Sequence, residues 1–251
     1  MEYFLPILFF FVSFFYSSVG LGGGSSYTAI MAIMGINYQL IPATSLTLNL
    51  GVTSIGMINF WKAGYGRINL VAPFLITSIP MSYLAGSLQL PGLIFEIILT
   101  MTLMLVVSRI YFLDRLGFTY ELSNIEKWLL SIFLGSFLGF IAGSVGIGGG
   151  IYLVPLIIMF GLGTTKEASA AGAMFIWFNS FAGLLPRLQS GIYDIKFITP
   201  LVFSVFVGGF AGSYFGSVRF ESKFIQKVMG CLLYTSPSPR DISGSRMPSS
   251  A

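Results

Sequence analysis

Two glycine clusters interrupt apolar runs long enough to cross a membrane, and they constrain the fold of this chain more than anything else in it. Val19-Gly20-Leu21-Gly22-Gly23-Gly24 and Val145-Gly146-Ile147-Gly148-Gly149-Gly150 share one pattern, Gly146 standing 126 positions after Gly20. Glycine in a helix interior gives up more backbone entropy than any other residue and leaves amides bare, so a cluster of them breaks the helix. Lipid offers those amides no partner, and such a break survives only inside protein or beside a water-filled cavity. Paired breaks at matching places in two halves are the sequence mark of a transporter's substrate site.

Composition fixes the setting. Hydrophobic residues make up 55% of the chain and charged residues 9%, with a mean hydropathy of +0.86. A soluble domain carries about 25% charged residues, so this is an integral membrane protein with the lipid bilayer as its main partner. The 13 Lys and Arg against 9 Asp and Glu are spread along the chain. They suit residues flanking membrane spans, not the clustered patch that a nucleic acid requires.

Apolar stretches of about 20 residues occur near 4–35 (broken), 43–61, 70–90 and 93–113, then near 128–161 (broken), 168–186 and 197–217. A last segment starts at Phe224 and stops short. The expected fold is therefore an all-α polytopic membrane protein, two repeats of about four hydrophobic segments, each with a glycine-broken first segment and the last helix truncated. The repeats are residues 1–113 and 128–230, joined by a polar connector over 114–127. Further matches support the duplication: Ala85-Gly86-Ser87 with Ala211-Gly212-Ser213, Gly64 with Gly191, and Pro73 with Pro200. The start, Met1-Glu2-Tyr3, lacks the basic region of a cleavable signal peptide and reads as the first span. Residues 231–251 lose hydrophobicity abruptly and resemble the translation of a sequencing-library adapter, so they are set aside as non-native, together with the chain's one cysteine, Cys231.

If each broken segment crosses once, the connectors holding Lys62, Arg67, Arg109, Arg115 and Lys127 share one side, which the positive-inside rule makes cytoplasmic along with the N-terminus. Arg219, Lys223 and Lys227 then fall on the wrong side. A partly re-entrant broken segment, which would invert the repeats, is the other solution.

An anion in a membrane needs positive potential without an isolated buried charge. Helix N-termini supply it through free amides and a macrodipole worth roughly half a unit charge. The helices expected from Ser25 and Ile151 follow the glycines directly, so the amides of Gly22, Gly23, Gly24, Gly148, Gly149 and Gly150 form the expected oxyanion cradle. Ser25, Ser26, Thr44, Ser45 and Asn49 from the first half, and Ser169, Asn179 and Ser180 from the second, complete the candidate shell. The two asparagines are the costliest to bury without a partner. The competing reading has glycines that only let helices approach and hydroxyls bonded to their own helices. Glu96, Arg109, Lys166, Glu167 and Arg187 lie near span ends, where long side chains reach back to the interface. Lys166-Glu167 is also placed to attract or gate substrate. With no His and no paired carboxylates in a span, no metal or cofactor site and no enzyme active site is expected.

At these residues the chain resembles the sulfite exporter TauE/SafE family. The resemblance rests on Gly20-Leu-Gly-Gly-Gly24 with Pro42-Ala43-Thr44-Ser45, on the turn from Gly64 to Asn69, and on Gly146-Ile-Gly-Gly-Gly150 with Lys166-Glu167-Ala168-Ser169-Ala170. It spans residues 1–230 and implies a multi-pass permease of the bacterial cytoplasmic membrane for small sulfur-containing anions such as sulfite or organosulfonates. A non-transporting membrane scaffold or accessory subunit is the alternative. A transporter should gather both breaks and both asparagines around one solvated cavity, whereas a scaffold would bury the breaks dry. Direction, coupling ion and oligomeric state have no signature in the sequence.

Overall fold

A computed structural model describes residues 4–88, 90–112 and 124–221. Within them the chain is helical: α1 (Phe4–Ser18), α2 (Gly24–Ile33), α3 (Leu40–Lys62), α4 (Ile68–Ser87), α5 (Gly92–Phe112), α6 (Asn124–Val145), α7 (Gly150–Met159), α8 (Thr165–Gln189) and α9 (Ile195–Tyr214). A π-helical turn, Phe215–Arg219, follows α9. Helices α3, α4, α8, the 128–145 portion of α6 and α9 with its π turn are long and apolar enough to cross a membrane.

The glycine clusters end α1 and α6, and each restarts as a ten-residue helix. Gly23 and Gly149 cap these short helices in the left-handed conformation, at φ 84° and 73°. A side chain is disfavoured there. The helices begin at Gly24 and Gly150, one residue before the expected Ser25 and Ile151, because the left-handed cap already turns the chain. Helix α8 has a different start: Thr164 accepts from the Glu167 amide while Glu167 accepts from the Thr164 amide at 2.7 Å, a closed capping box.

Contacts fix the relative directions of the longer helices around α8 and of α1 with α9. Trp177 donates to Ser54 (2.8 Å) and Gly183 lies against Leu46, so α3 and α8 run antiparallel. Ser82 donates to the Asn179 carbonyl and Gly86 abuts Gly183, so α4 and α8 run parallel. Helix α6 follows α4, with Gly135, Gly139 and Gly143 against Phe74, Ser78 and Ser82. Helix α1 follows α9, with Phe10, Phe14 and Ser18 against Gly208, Gly212 and Gly216.

It follows that α1 and α2 form a hairpin rather than one interrupted span. The Tyr16 hydroxyl meets Ser26 (2.8 Å) while the Phe9 ring meets Tyr27 (centroids 4.8 Å apart), so α2 folds back along α1. Helix α6 runs parallel to α8, yet α7 must return to the end where α8 starts, so this break is also a reversal. Of the two solutions open from the sequence the structure has the re-entrant one, and the N-terminal end of α1 lies at the end of the molecule opposite Lys62 and Arg67. Arg219 moves to the same end as Lys62 and Arg67, where Lys166 reaches the Ser217 carbonyl (3.3 Å).

Helices α3 and α8 form the centre, with 67% and 78% of their apolar windows buried, while α4 and α9 bury 28% and 33% and face outward. Both peripheral pairs close through glycine ladders of four-residue spacing. On Gly139, Gly143, Gly212 or Gly216 a Cβ would strike the partner's carbonyl, so only glycine allows the approach. Several boundaries differ from expectation. Helix α6 begins at Asn124, inside the expected connector. Helices α3 and α8 also extend beyond 43–61 and 168–186, to Leu40–Lys62 and Thr165–Gln189. Much of the connector (113–123), the segment from Phe224 and the adapter-like 231–251 lie outside the described residues.

Candidate functional site

The two reversals meet. A Cβ on Gly24 would lie 2.5 Å from the Asn49 side-chain nitrogen and 2.6 Å from the Ile147 carbonyl oxygen. One on Gly22 would lie 2.5 Å from the Asn49 oxygen, and one on Gly148 would lie 2.9 Å from its nitrogen. The Asn49 carboxamide, fully buried on α3, thus sits between the first break and the second. Its nitrogen donates to the Gly146 carbonyl at 3.3 Å and its oxygen has no protein partner.

The hydrogen bonds around this point tie down acceptors. Ser45 donates to the Gly146 carbonyl (2.8 Å) and Thr28 to the Gly24 carbonyl (2.7 Å). Amides are left over: the first intrahelical bond of α2 runs from Tyr27 to the Gly23 carbonyl, so those of Gly24, Ser25 and Ser26 have no partner within the helix. Occupied carbonyls and free amides at a helix N-terminus leave a positive potential there.

The sequence-derived residues fall into two groups. Gly22, Gly24, Ser45, Asn49 and Gly148 converge with Gly146, a residue of the motif that the candidate shell had omitted. Gly23 and Gly149 act as caps, Gly150 packs on Ile176, and Ser25 is buried 3.4 Å from the Tyr16 hydroxyl. Thr44, Ser169, Asn179 and Ser180 are buried, each with a side-chain oxygen lacking a partner, but none exchanges a hydrogen bond with the breaks or with Asn49.

Asn179 donates instead to the Phe175 carbonyl of its own helix (2.8 Å) and makes no hydrogen bond to the breaks or to Asn49. The cause is register. At the 126-residue offset Asn49 corresponds to Phe175, whose ring packs against Gly149, while Asn179 corresponds to Thr53. Sequence reasoning also missed Ile176, whose side chain touches Gly22, Gly148 and Gly150. One isoleucine on an apolar helix carries no signal of its own.

Gly20 and Gly22–Ser25, and Gly146–Gly150, are all buried. A cavity of about 170 Å³ lies elsewhere, at the end where α3 begins and α8 finishes, and its lining includes none of these glycines. Arg187 lines it. Its Nη2 donates to the carbonyls of Gly143 and Ser144, both at 2.9 Å. Those carbonyls belong to the last turn of α6, where no following amide can reach them and a cation is favoured. At the opposite end Glu167 pairs with Arg67 at 3.1 Å and the Lys166 ammonium lies 5.0 Å from the Tyr65 ring centroid, which holds the start of α8 against the 63–67 connector.

Comparisons with known proteins agree with this architecture. The family model described as "Sulfite exporter TauE/SafE" matches residues 5–236. A protein named "Probable membrane transporter protein y4hK" from Sinorhizobium fredii is 32% identical over 236 residues, covering 92% of this chain and 95% of the relative. "Probable membrane transporter protein YjnA" from Bacillus subtilis is 26% identical over 233 residues, covering 86% and 91%. No solved structure matches.

Proposed function

The chain belongs to the sulfite exporter TauE/SafE family, a family of multi-pass membrane transporters and not of enzymes, and we propose that it moves small sulfur-containing anions, such as sulfite or organosulfonates. The observation that carries this reading is the meeting of the two reversals around Asn49. The Gly24, Ser25 and Ser26 amides, without partners in α2, and the Asn49 carboxamide supply donors at this junction, while Ser45 and Thr28 donate to two of its carbonyls, those of Gly146 and Gly24. The anion is held by backbone dipoles and neutral side chains, so no buried cation has to be desolvated there.

The two halves act as an inverted pair, since α3 and α8 run in opposite directions and each half contributes one hairpin. In such pairs, alternating access rocks one half against the other around a central site. The buried breaks then correspond to a closed state, with Ile176 as the apolar plug. Lys62, Arg67, Lys166 and Arg219 gather at one end, which the positive-inside rule makes cytoplasmic. The cavity beside Arg187 opens on the other face.

Uptake of radiolabelled sulfite into liposomes containing the full chain, with and without an imposed pH gradient, tests this reading. It requires saturable uptake that organosulfonates compete away. Sulfite, organosulfonates and thiosulfate all remaining inert would overturn the substrate assignment.

A further inference from the structure

The cavity at the α3 start and α8 finish has a composition that the transport site does not explain. Its polar lining comes from Tyr38, Gln39, Ser87, Ser144, Arg187 and Ser190, and Arg187 is the one charged group in its wall. At about 170 Å³ it exceeds several times the roughly 30 Å³ that a water molecule occupies in the liquid, so a small oxyanion fits.

Arg187 is incompletely used by the protein. Both Nη2 protons go to the α6 carbonyls, while Nε is buried without any partner. With both Nη2 protons taken, each edge of the guanidinium fork has lost one member and neither keeps a free N–H pair. Nη1 has no hydrogen-bond partner among the described residues and, unlike Nε, is not an enclosed atom, so its single N–H groups are what an oxyanion in the cavity meets.

Position adds a second argument. Pro42 lines this cavity, and Pro42 is also the residue whose backbone a Cβ on Gly146 would meet at 2.9 Å. Ser144, in the same wall, lies two residues before Gly146. The cavity and the second break therefore share a wall one residue thick.

We propose that this cavity is a second anion site, a vestibule in which Arg187 captures a sulfonate-like or sulfite-like oxyanion before it passes the Pro42–Gly146 wall to the breaks. The proposal rests on the anion-transport reading and adds the residue that recruits the anion. At the breaks the anion meets only dipoles; in the vestibule, open to water, it meets a full charge.

The test places a thiol in the cavity wall. In the full chain with Cys231→Ala, Ser190→Cys is introduced, and the protein is reconstituted and treated with a membrane-impermeant maleimide. Methanesulfonate is the probe, because sulfite and thiosulfate would consume the reagent, and dimethyl sulfone is its uncharged counterpart. The vestibule predicts that methanesulfonate slows labelling in a saturable way, that dimethyl sulfone does not, and that Arg187→Gln removes the protection.

Loss of one charge-assisted contact should also raise the KM for sulfite uptake by about tenfold or more, with the maximal rate falling much less and Arg187→Lys in between. Equal protection by both probes, no protection, or a thiol that never reacts would each overturn the proposal. Should Arg187→Gln fail to fold, the comparison of the two probes on Ser190→Cys alone still decides. Labelling reads the cavity and uptake reads the breaks, so the vestibule can fail while transport stands.

Discussion

The two hairpin tips share a backbone and differ in what faces them. Each is capped by a left-handed glycine, Gly23 or Gly149, and each restarts as a ten-residue helix. The Asn49 carboxamide faces both tips, lying against Gly22 and Gly24 of the first and donating to Gly146 of the second, whereas the Phe175 ring, at the matching position, faces Gly149 of the second tip alone. Both tips use the same glycine-capped backbone, while the carboxamide between them comes from α3 alone. Glycine counts do not reveal which helix supplies a polar side chain to such a junction.

The sharpest way to break this comparison is to fill the first tip. Gly24→Val should reduce sulfite uptake to background in liposomes with normal protein incorporation, because its Cβ would collide with Asn49 and the Ile147 carbonyl. Wild-type uptake by this variant would remove the tips from the pathway.

Charge reversal at the asymmetric position comes next. Asn49→Asp replaces the carboxamide at this buried position with a carboxyl group. A carboxylate there repels the anion, and uptake should fall by about 100-fold, the equivalent of roughly 2.7 kcal/mol. Asn179→Ala, by contrast, should leave the KM within about twofold, since the Asn179 amide bonds its own helix and its loss removes only about 1 kcal/mol of internal hydrogen bonding.

For the second tip the expected effect is on stability. Phe175→Ala removes a fully buried ring and should cost about 3–5 kcal/mol, read as a lower unfolding midpoint in detergent, with the KM of the folded fraction little changed. Smallest of all is Glu167→Gln, which keeps the capping geometry and deletes only the pair with Arg67, itself 56% exposed. Less than about 1 kcal/mol should be lost, and thermal unfolding measures it.

Helix content and the breaks were legible in the sequence because each depends on local chemistry. A glycine cluster in an apolar run has few structural uses, and a buried asparagine needs a reason. The reversal at each break was not legible: ten apolar residues such as 24–33 look the same whether they continue a span or fold back, and distant contacts such as Tyr16 with Ser26 decide between the two. The partners of Asn179 and Arg187 were not legible for a related reason. The facing direction of a helical side chain depends on crossing geometry, which the Gly143 and Gly183 contacts set across helices far apart in sequence. The glycine ladders at 135–143 and 208–216 carried a readable four-residue signal for close packing.

The central claim, that the anion is held where the two hairpin tips meet at Asn49, is tested most directly by locating it. Selenite, a heavier analogue of sulfite, can be placed by anomalous scattering in crystals of the full chain. The account predicts a peak within hydrogen-bonding distance of the Gly24–Ser26 amides and the Asn49 side chain, lost in Asn49→Asp at neutral pH. Selenite bound only away from both tips, with that space filled by protein, would contradict it.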